Sequence, residues 1–134
     1  MILDEQLENW ARGACEYFTQ SFGLDAKFAL MVARLYICFW AHGLQPRITS
    51  GYRALSKQLE LQRQWDSGNR AGLRARPAGA SKHTLTDWVG RPASKAIDMP
   101  TNDDARAAQL ARQLGIGAGF DFKEKDPGHY YLLG

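Results

Sequence analysis

Two helix signals at the start of the chain constrain its fold more than any other feature of the sequence. The first begins at Asp4, continues with apolar residues spaced three and four positions apart, and stops at Gly23. The second lies between Asp25, which can cap a helix, and Gly43, which can end one. Residues 1–45 are therefore predicted to be a helical N-terminal part.

The rest of the chain carries shorter strand and helix signals. A long, Gly- and Arg-rich loop is predicted over Ser67–Ala80. Predicted strands are Arg47–Ser50, Lys95–Met99, Gly119–Phe122 and His129–Leu133, and predicted helices are Ala54–Trp65 and one capped by Thr101 that ends before Gly115. Helices first and scattered strands later predict an α+β fold, with N-terminal helices packed on a small, mostly antiparallel sheet.

Length and composition limit the architecture and the class of site. The 134 residues, 15.0 kDa, suit one domain over 1–134, in which 46–134 carries the motifs described below. With 3 His and 2 Cys, the chain is neither a Cys-rich zinc finger nor a disulfide scaffold. The net charge of +3 favours a polyanionic partner, such as nucleic acid, anionic lipid or bacterial cell wall.

The sequence predicts neither a membrane span nor a secretory signal peptide. The most apolar run, Phe28–Trp40, is interrupted by Arg34 and is shorter than the ~20 residues that a membrane span needs. The first ten residues contain acidic side chains and no basic region. We therefore expect synthesis in the cytoplasm and no stable membrane insertion.

Three residues that can bind a metal lie on predicted strands or at their edges. They are His83, Asp98 and His129. Two imidazoles and one carboxylate are a common ligand set for catalytic zinc, although a core histidine and a turn acid would give the same spacing. Asp126 precedes His129 by a Pro-Gly turn, so it is either a general base at the same pocket or a simple turn residue. The third histidine, His42, is expected to interact with free carbonyl groups at a helix end.

Four segments in a fixed order resemble a family of zinc peptidases. The segments are ITSGYRALSKQLEL (Ile48–Leu61), PAGASKH (Pro77–His83), AIDM (Ala96–Met99) and DPGHYYL (Asp126–Leu132). The family includes D-Ala-D-Ala carboxypeptidases and phage L-alanyl-D-glutamate endolysins, which cleave peptidoglycan and have a hedgehog-like fold. The resemblance extends over about residues 44–133.

This resemblance implies a role for each matching residue. It implies that Zn²⁺ is the cofactor and that His83, Asp98 and His129 bind it. It further implies that Asp126 is the catalytic acid and base, and that Arg53 anchors the substrate or stabilises the oxyanion. Ser81 and Gln58 match positions that support the site on the substrate side.

The chain departs from the family pattern between His83 and Asp98. This connection is longer than in the family, and the glycine of the motif is replaced by Ser94. The extra segment, Thr84–Pro92, is expected to loop out. It contains Asp87, a rival metal ligand, and Trp88, which either borders the cleft or lies on the surface as an ordinary hydrophobic residue.

The function that the resemblance implies is hydrolysis of peptide bonds in peptidoglycan stem peptides or cross-bridges. The simplest case is a monomeric phage-type endolysin that acts in the periplasm or cell wall after release by a holin. Alternatives are a non-catalytic, zinc-containing wall-binding module and a secreted or virion-associated antibacterial peptidase. A nucleic-acid-binding domain that uses Arg70, Arg74 and Arg76 is disfavoured, because the loop lacks interleaved aromatic residues.

Overall fold

Two consecutive helices, α1 and α2, form the N-terminal part, as the sequence predicts. The computed structural model describes residues 4–68 and 81–133. Helix α1 spans Glu5–Phe22 and α2 spans Ala26–Ala41. The carboxylates of Asp4 and Asp25 each accept a backbone N–H three residues further on, which satisfies a free donor at each helix start. Gly23 ends α1 in the left-handed conformation, with φ +62°.

Three short strands form an antiparallel sheet. They are β1 (Ala96–Asp98), β2 (Ile116–Ala118) and β3 (His129–Leu132), in the order β1-β3-β2. Helix α3 (Leu55–Asp66) precedes β1, and α4 (Asp104–Gln113) lies between β1 and β2. Two 3-10 turns cover Lys82–Thr84 and Gly119–Asp121. The predicted combination of N-terminal helices and a small antiparallel sheet is confirmed.

Three local predictions are corrected by the structure. The predicted strand Gly119–Phe122 is wrong, because a 3-10 turn begins at Gly119 and the strand lies just before it. The cap of α4 is Asp103, whose carboxylate accepts the N–H of Arg106, and not Thr101. The segment Arg47–Ser50 hydrogen-bonds beside β1 but pairs with it only through a bridge from Ser50 to Asp98.

The core lies between the helices and the sheet. Helix α2 has its inner face fully buried against α1, α4 and the sheet, and the Phe39 ring lies 5.8 Å from the Tyr130 ring of β3. The buried residues of α2 are Phe28, Ala29, Val32, Ala33, Leu35, Cys38 and Phe39. Because both neighbours of β3 are antiparallel and its inner face is covered by α2, the strand is fixed in register.

Several sequence predictions fall outside the described residues. They concern most of the loop Ser67–Ala80, with Arg70, Arg74 and Arg76. Within the described ranges, no helix has both the length and the apolar character needed to cross a bilayer.

Candidate metal centre

The register of the sheet brings Asp98 and His129 together. Asp98 on β1 is directly opposite His129 on β3, so their side chains point to the same face. Nδ1 of His129 lies 3.0 Å from Oδ1 of Asp98. A histidine and a carboxylate from separate parts of the sequence therefore meet at the open face of the sheet.

A 3-10 turn brings His83 to the same place. Ser81 caps this turn by accepting the N–H of His83, and both residues are buried. Nδ1 of His83 lies 2.8 Å from the carbonyl oxygen of Gly51. A carbonyl can only accept, so Nδ1 donates to it, and Nε2 is the ring nitrogen that faces the cluster. That Nε2 lies 3.4 Å from Oδ2 of Asp98.

These three side chains form a compact donor set. His83, Asp98 and His129 each offer a ligand atom, and the three atoms lie within 4.8 Å of one another. His42 lies elsewhere, at the end of α2, where its Nδ1 is 2.8 Å from the carbonyl of Cys38, as expected for a helix-end histidine. Asp87 is also outside the cluster, because its carboxylate is bound within its own turn.

Electrostatics keep Asp98 ionised. Burial by itself would raise the pKa of Asp98, but the hydrogen bonds and charges of His129 and His83 outweigh it and lower the pKa below the usual aspartate range. Nη2 of Arg53 lies 3.5 Å from the same carboxylate. An ionised carboxylate between two imidazoles is suited to binding a cation.

Asp126 lies at the edge of the cluster. Its N–H donates to the carbonyl of Gly119, and its Oδ2 lies 3.9 Å from Nδ1 of His129. The turn therefore brings Asp126 to the same side as His129, which a continuous strand would not do. Burial raises the pKa of Asp126 above the ordinary aspartate value; the charge of Asp98 adds to this effect, whereas the histidines and Arg53 oppose it. The side chain is still 43% exposed, so water and a substrate can reach it.

Arg53 is attached to the cluster through both its backbone and its side chain. Its N–H donates to the carbonyl of His83 at 2.7 Å, and its guanidinium contacts Ser50 and Asp98. Ser81 is behind His83 and orients it. Gln58 is on α3, but its side chain is outside what the structure describes.

Sequence reasoning did not assign the roles of Gly51 and Ser50. The Gly51 carbonyl fixes the His83 ring, and the Ser50 hydroxyl accepts from Arg53. A side chain at position 51 would collide with the backbone of Phe22, so only glycine fits there. The motif Ser-Gly-Tyr-Arg was the signal for both residues, although a backbone contact cannot be read from a side-chain pattern.

The arrangement can perform hydrolytic chemistry. The donor set can hold a divalent cation with imidazole and carboxylate ligands, the set that zinc prefers in catalytic sites. A carboxylate with a raised pKa beside it can accept and return a proton, and an arginine can hold a developing negative charge. Each of these groups lies at one face of one small sheet.

Comparison with known proteins identifies the fold. No family model matches the sequence, and no curated protein matches it either. Among solved structures, the chain is similar to a variant of the vancomycin resistance D,D-pentapeptidase VanY from a VanB-type resistance cassette, solved in complex with Zn(II). The match has a TM-score of 0.59 and 18% identity, and it covers 83% of this chain and 73% of that one. The protein therefore has the fold of the VanY D,D-pentapeptidase.

Proposed function

We propose that this protein is a zinc-dependent peptidase that hydrolyses peptide bonds in the stem peptides or cross-bridges of peptidoglycan. One observation carries the proposal: His83, Asp98 and His129 converge at the open face of a sheet, in a fold shared with a zinc-bound D,D-pentapeptidase. Asp126 and Arg53 lie beside that cluster. The donor set fits catalytic zinc in ligand type and in number, since such sites have three protein ligands and a water as the fourth.

The three ligands and Asp126 divide the chemistry between them. His83, Asp98 and His129 would hold the metal, which when bound supplies Lewis acidity and lowers the pKa of a water. Asp126 accepts a proton from the attacking water as the water oxygen adds to the scissile carbonyl carbon. When the C–N bond breaks, Asp126 returns this proton to the leaving amine.

Arg53 contributes positive charge. Its guanidinium lies 3.5 Å from the carboxylate of Asp98, so it is next to the proposed metal ligands and would face a substrate carbonyl bound there. A guanidinium binds such an oxygen more tightly as its charge increases, which lowers the barrier. The Gly51 carbonyl holds the His83 ring so that Nε2 faces the cluster, and Ser81 caps the turn that carries His83.

Digestion of purified peptidoglycan tests this proposal. The zinc-loaded protein is incubated with sacculi and with a synthetic stem pentapeptide, with and without a chelator, and the products are identified by mass. We expect new peptide termini that disappear with the chelator and in Asp126→Asn. Unchanged muropeptides with zinc present, combined with retained binding to sacculi, would instead establish a wall-binding module.

We propose in addition a phage-type lytic role. The protein would be made in the cytoplasm, act as a monomer, and reach the periplasm or wall through a holin. The resemblance of its motifs to phage endolysins supports this role. Expression in a bacterial host with and without a holin tests it: lysis that needs both proteins is expected, and lysis that ignores the holin would contradict the delivery route.

A further inference from the structure

The connection between His83 and Asp98 forms a hairpin-like projection. We call residues 85–93 the Trp88 projection. Its two sides are paired, since the carbonyl of Leu85 accepts the N–H of Ala93 and Thr86 forms a β-bridge with Pro92. Directly below, the carbonyl of Lys82 accepts the N–H of Lys95. Because the projection begins soon after His83 and its last residue leads to Asp98, both of its ends are next to the candidate metal centre.

The tip of the Trp88 projection is a turn that several hydrogen bonds hold in place. The Asp87 carboxylate accepts the N–H groups of Val89 and Arg91 and pairs with the Arg91 guanidinium at 2.9 Å. Gly90 provides the positive φ, +88°, that closes the turn, and its N–H donates to the carbonyl of Asp87. These contacts fix the direction of the tip before any partner binds.

This turn presents an indole to solvent. Trp88 is 93% exposed, against 57% for Trp10 on α1 and 51% for Trp40 on α2. Its neighbour Val89 is also exposed. Covering a flat aromatic surface that faces water is favourable, and a fixed turn loses little entropy on binding. The tip is therefore built as a contact surface.

We propose that Trp88 contacts the glycan strand of peptidoglycan, with its indole face against the C–H face of a sugar ring. The inference rests on the proposed function, because it assigns the part of the substrate beyond the stem peptide. Trp88 is five positions after His83, a connection that spans at most ~17 Å, and a stem of four residues spans at most ~14 Å. The two lengths are similar, so a sugar that carries a stem bound at the metal centre can lie about as far from the metal as Trp88 does.

The charges at the tip favour a sugar over a lipid. Trp88 and Val89 lie between Asp87 and Arg91, whose ion pair remains in contact with water. Inserting this tip into hydrocarbon would remove water from that pair, which is costly. A glycan leaves the pair hydrated and provides hydroxyl and amide groups next to an apolar ring face.

Two substrates that differ only in the sugar test the inference. The wild type, Trp88→Ala and Trp10→Ala are compared on a soluble stem pentapeptide and on the same peptide attached to its disaccharide. Trp10→Ala is the matched control, since it removes an exposed tryptophan from α1. We expect Trp88→Ala to lower kcat/KM on the disaccharide substrate about tenfold and to leave the free peptide unchanged.

The outcomes separate this inference from the proposed function. If the wild type cuts neither substrate, the proposed function fails. If it cuts both and Trp88→Ala behaves like Trp10→Ala, or loses activity equally on both substrates, the glycan contact is wrong. The last experiment is sedimentation with anionic lipid vesicles. Vesicle binding that depends on Trp88 would make the tip a membrane contact instead. Thermal melting of each variant verifies that it folds.

Discussion

At the scale of single residues, the proposed site depends on three ligands, His83, Asp98 and His129. We predict that His83→Ala and His129→Ala each weaken zinc binding by more than about 100-fold, because loss of a ligand costs more than the 10–100-fold typical of its supporting partners. His42→Ala is the control, since His42 lies at the end of α2. Zinc affinity by calorimetry is the measurement.

Asp87, the rival metal ligand, allows a direct comparison with Asp98. Asp98→Ala should weaken zinc binding, and Asp87→Ala should not, since the Asp87 carboxylate is bound within its own turn. Zinc loss in Asp87→Ala, with normal binding in Asp98→Ala, would make Asp87 the third ligand in place of Asp98.

Asp126 is expected to affect catalysis without affecting the metal. Its Oδ2 is 3.9 Å from His129 Nδ1, close enough to exchange protons with a water at the cluster but outside the donor set. We predict that Asp126→Asn, which keeps the shape and removes the base, lowers kcat about 10²–10⁴-fold while zinc content stays constant. Parallel loss of zinc would instead make Asp126 a ligand.

Residue identity could be predicted from the sequence where side chains carry the signal. His83, Asp98, His129 and Asp126 lie in ordered motifs, and the structure places them at one face. The contact from His83 to the carbonyl of Gly51 could not be predicted, because any residue has a carbonyl. It becomes visible only when the fold brings the two segments together.

At the scale of elements, a partly buried ion pair ties α1 to α2. The Arg34 guanidinium forms a two-point contact with the Glu8 carboxylate, with a shortest distance of 2.6 Å. This hydrogen bonding is the main cause that lowers the pKa of Glu8. A lowered folded-state pKa gives stability above the unfolded pKa, about 4.3, that is lost as the pH falls through the folded value.

We therefore predict that Glu8→Gln destabilises the protein in a pH-dependent way. At pH 7 the free energy of unfolding should fall by about 1 kcal/mol, and the difference from wild type should diminish below about pH 4. Urea titrations at several pH values measure it. Glu16→Gln, on the exposed face of α1, is the control, and a Glu8 effect independent of pH would argue against the pair.

The turn between β2 and β3 also sets the position of the proposed base. A Cβ on Gly119 would lie 2.5 Å from the carbonyl oxygen of Asp126 and 3.0 Å from the Cβ of His129. We predict that Gly119→Ala forces this turn outward, lowers the free energy of unfolding by about 1–3 kcal/mol, and reduces activity. Gly13→Ala, in open space within α1, should stabilise by about 0.5–1 kcal/mol. Equal effects of the two variants on stability would contradict this reading.

Element boundaries were predictable where one local signal determined them. Asp4 and Asp25 each begin a helix with a single carboxylate, and both were predicted correctly. At α4, the side chains at 101, 103 and 104 can all cap, and only the tertiary structure selects Asp103. Strand β2 consists of Ile-Gly-Ala, which has low strand propensity, and it exists because Tyr131 packs over Gly117.

At the scale of the whole molecule, the candidate centre exists only in the folded chain. One ligand comes from a 3-10 turn, and the other two come from two paired strands of the sheet. In the unfolded chain these residues are far apart, so a metal binds the native state almost exclusively. Its binding free energy is then added to the free energy of unfolding.

The last prediction follows from this coupling. Zinc at about 100 times its Kd should stabilise the wild type by about 2.7 kcal/mol, which raises Tm by several degrees in a domain of this size. Differential scanning calorimetry with added zinc and with a chelator measures the shift. His83→Ala should melt at the same temperature in both, whereas Trp10→Ala should retain the full shift, because its indole lies on α1 and away from the ligands. A zinc-dependent Tm that persists in His83→Ala would place the metal elsewhere, since binding at the cluster needs all three side chains to be folded together.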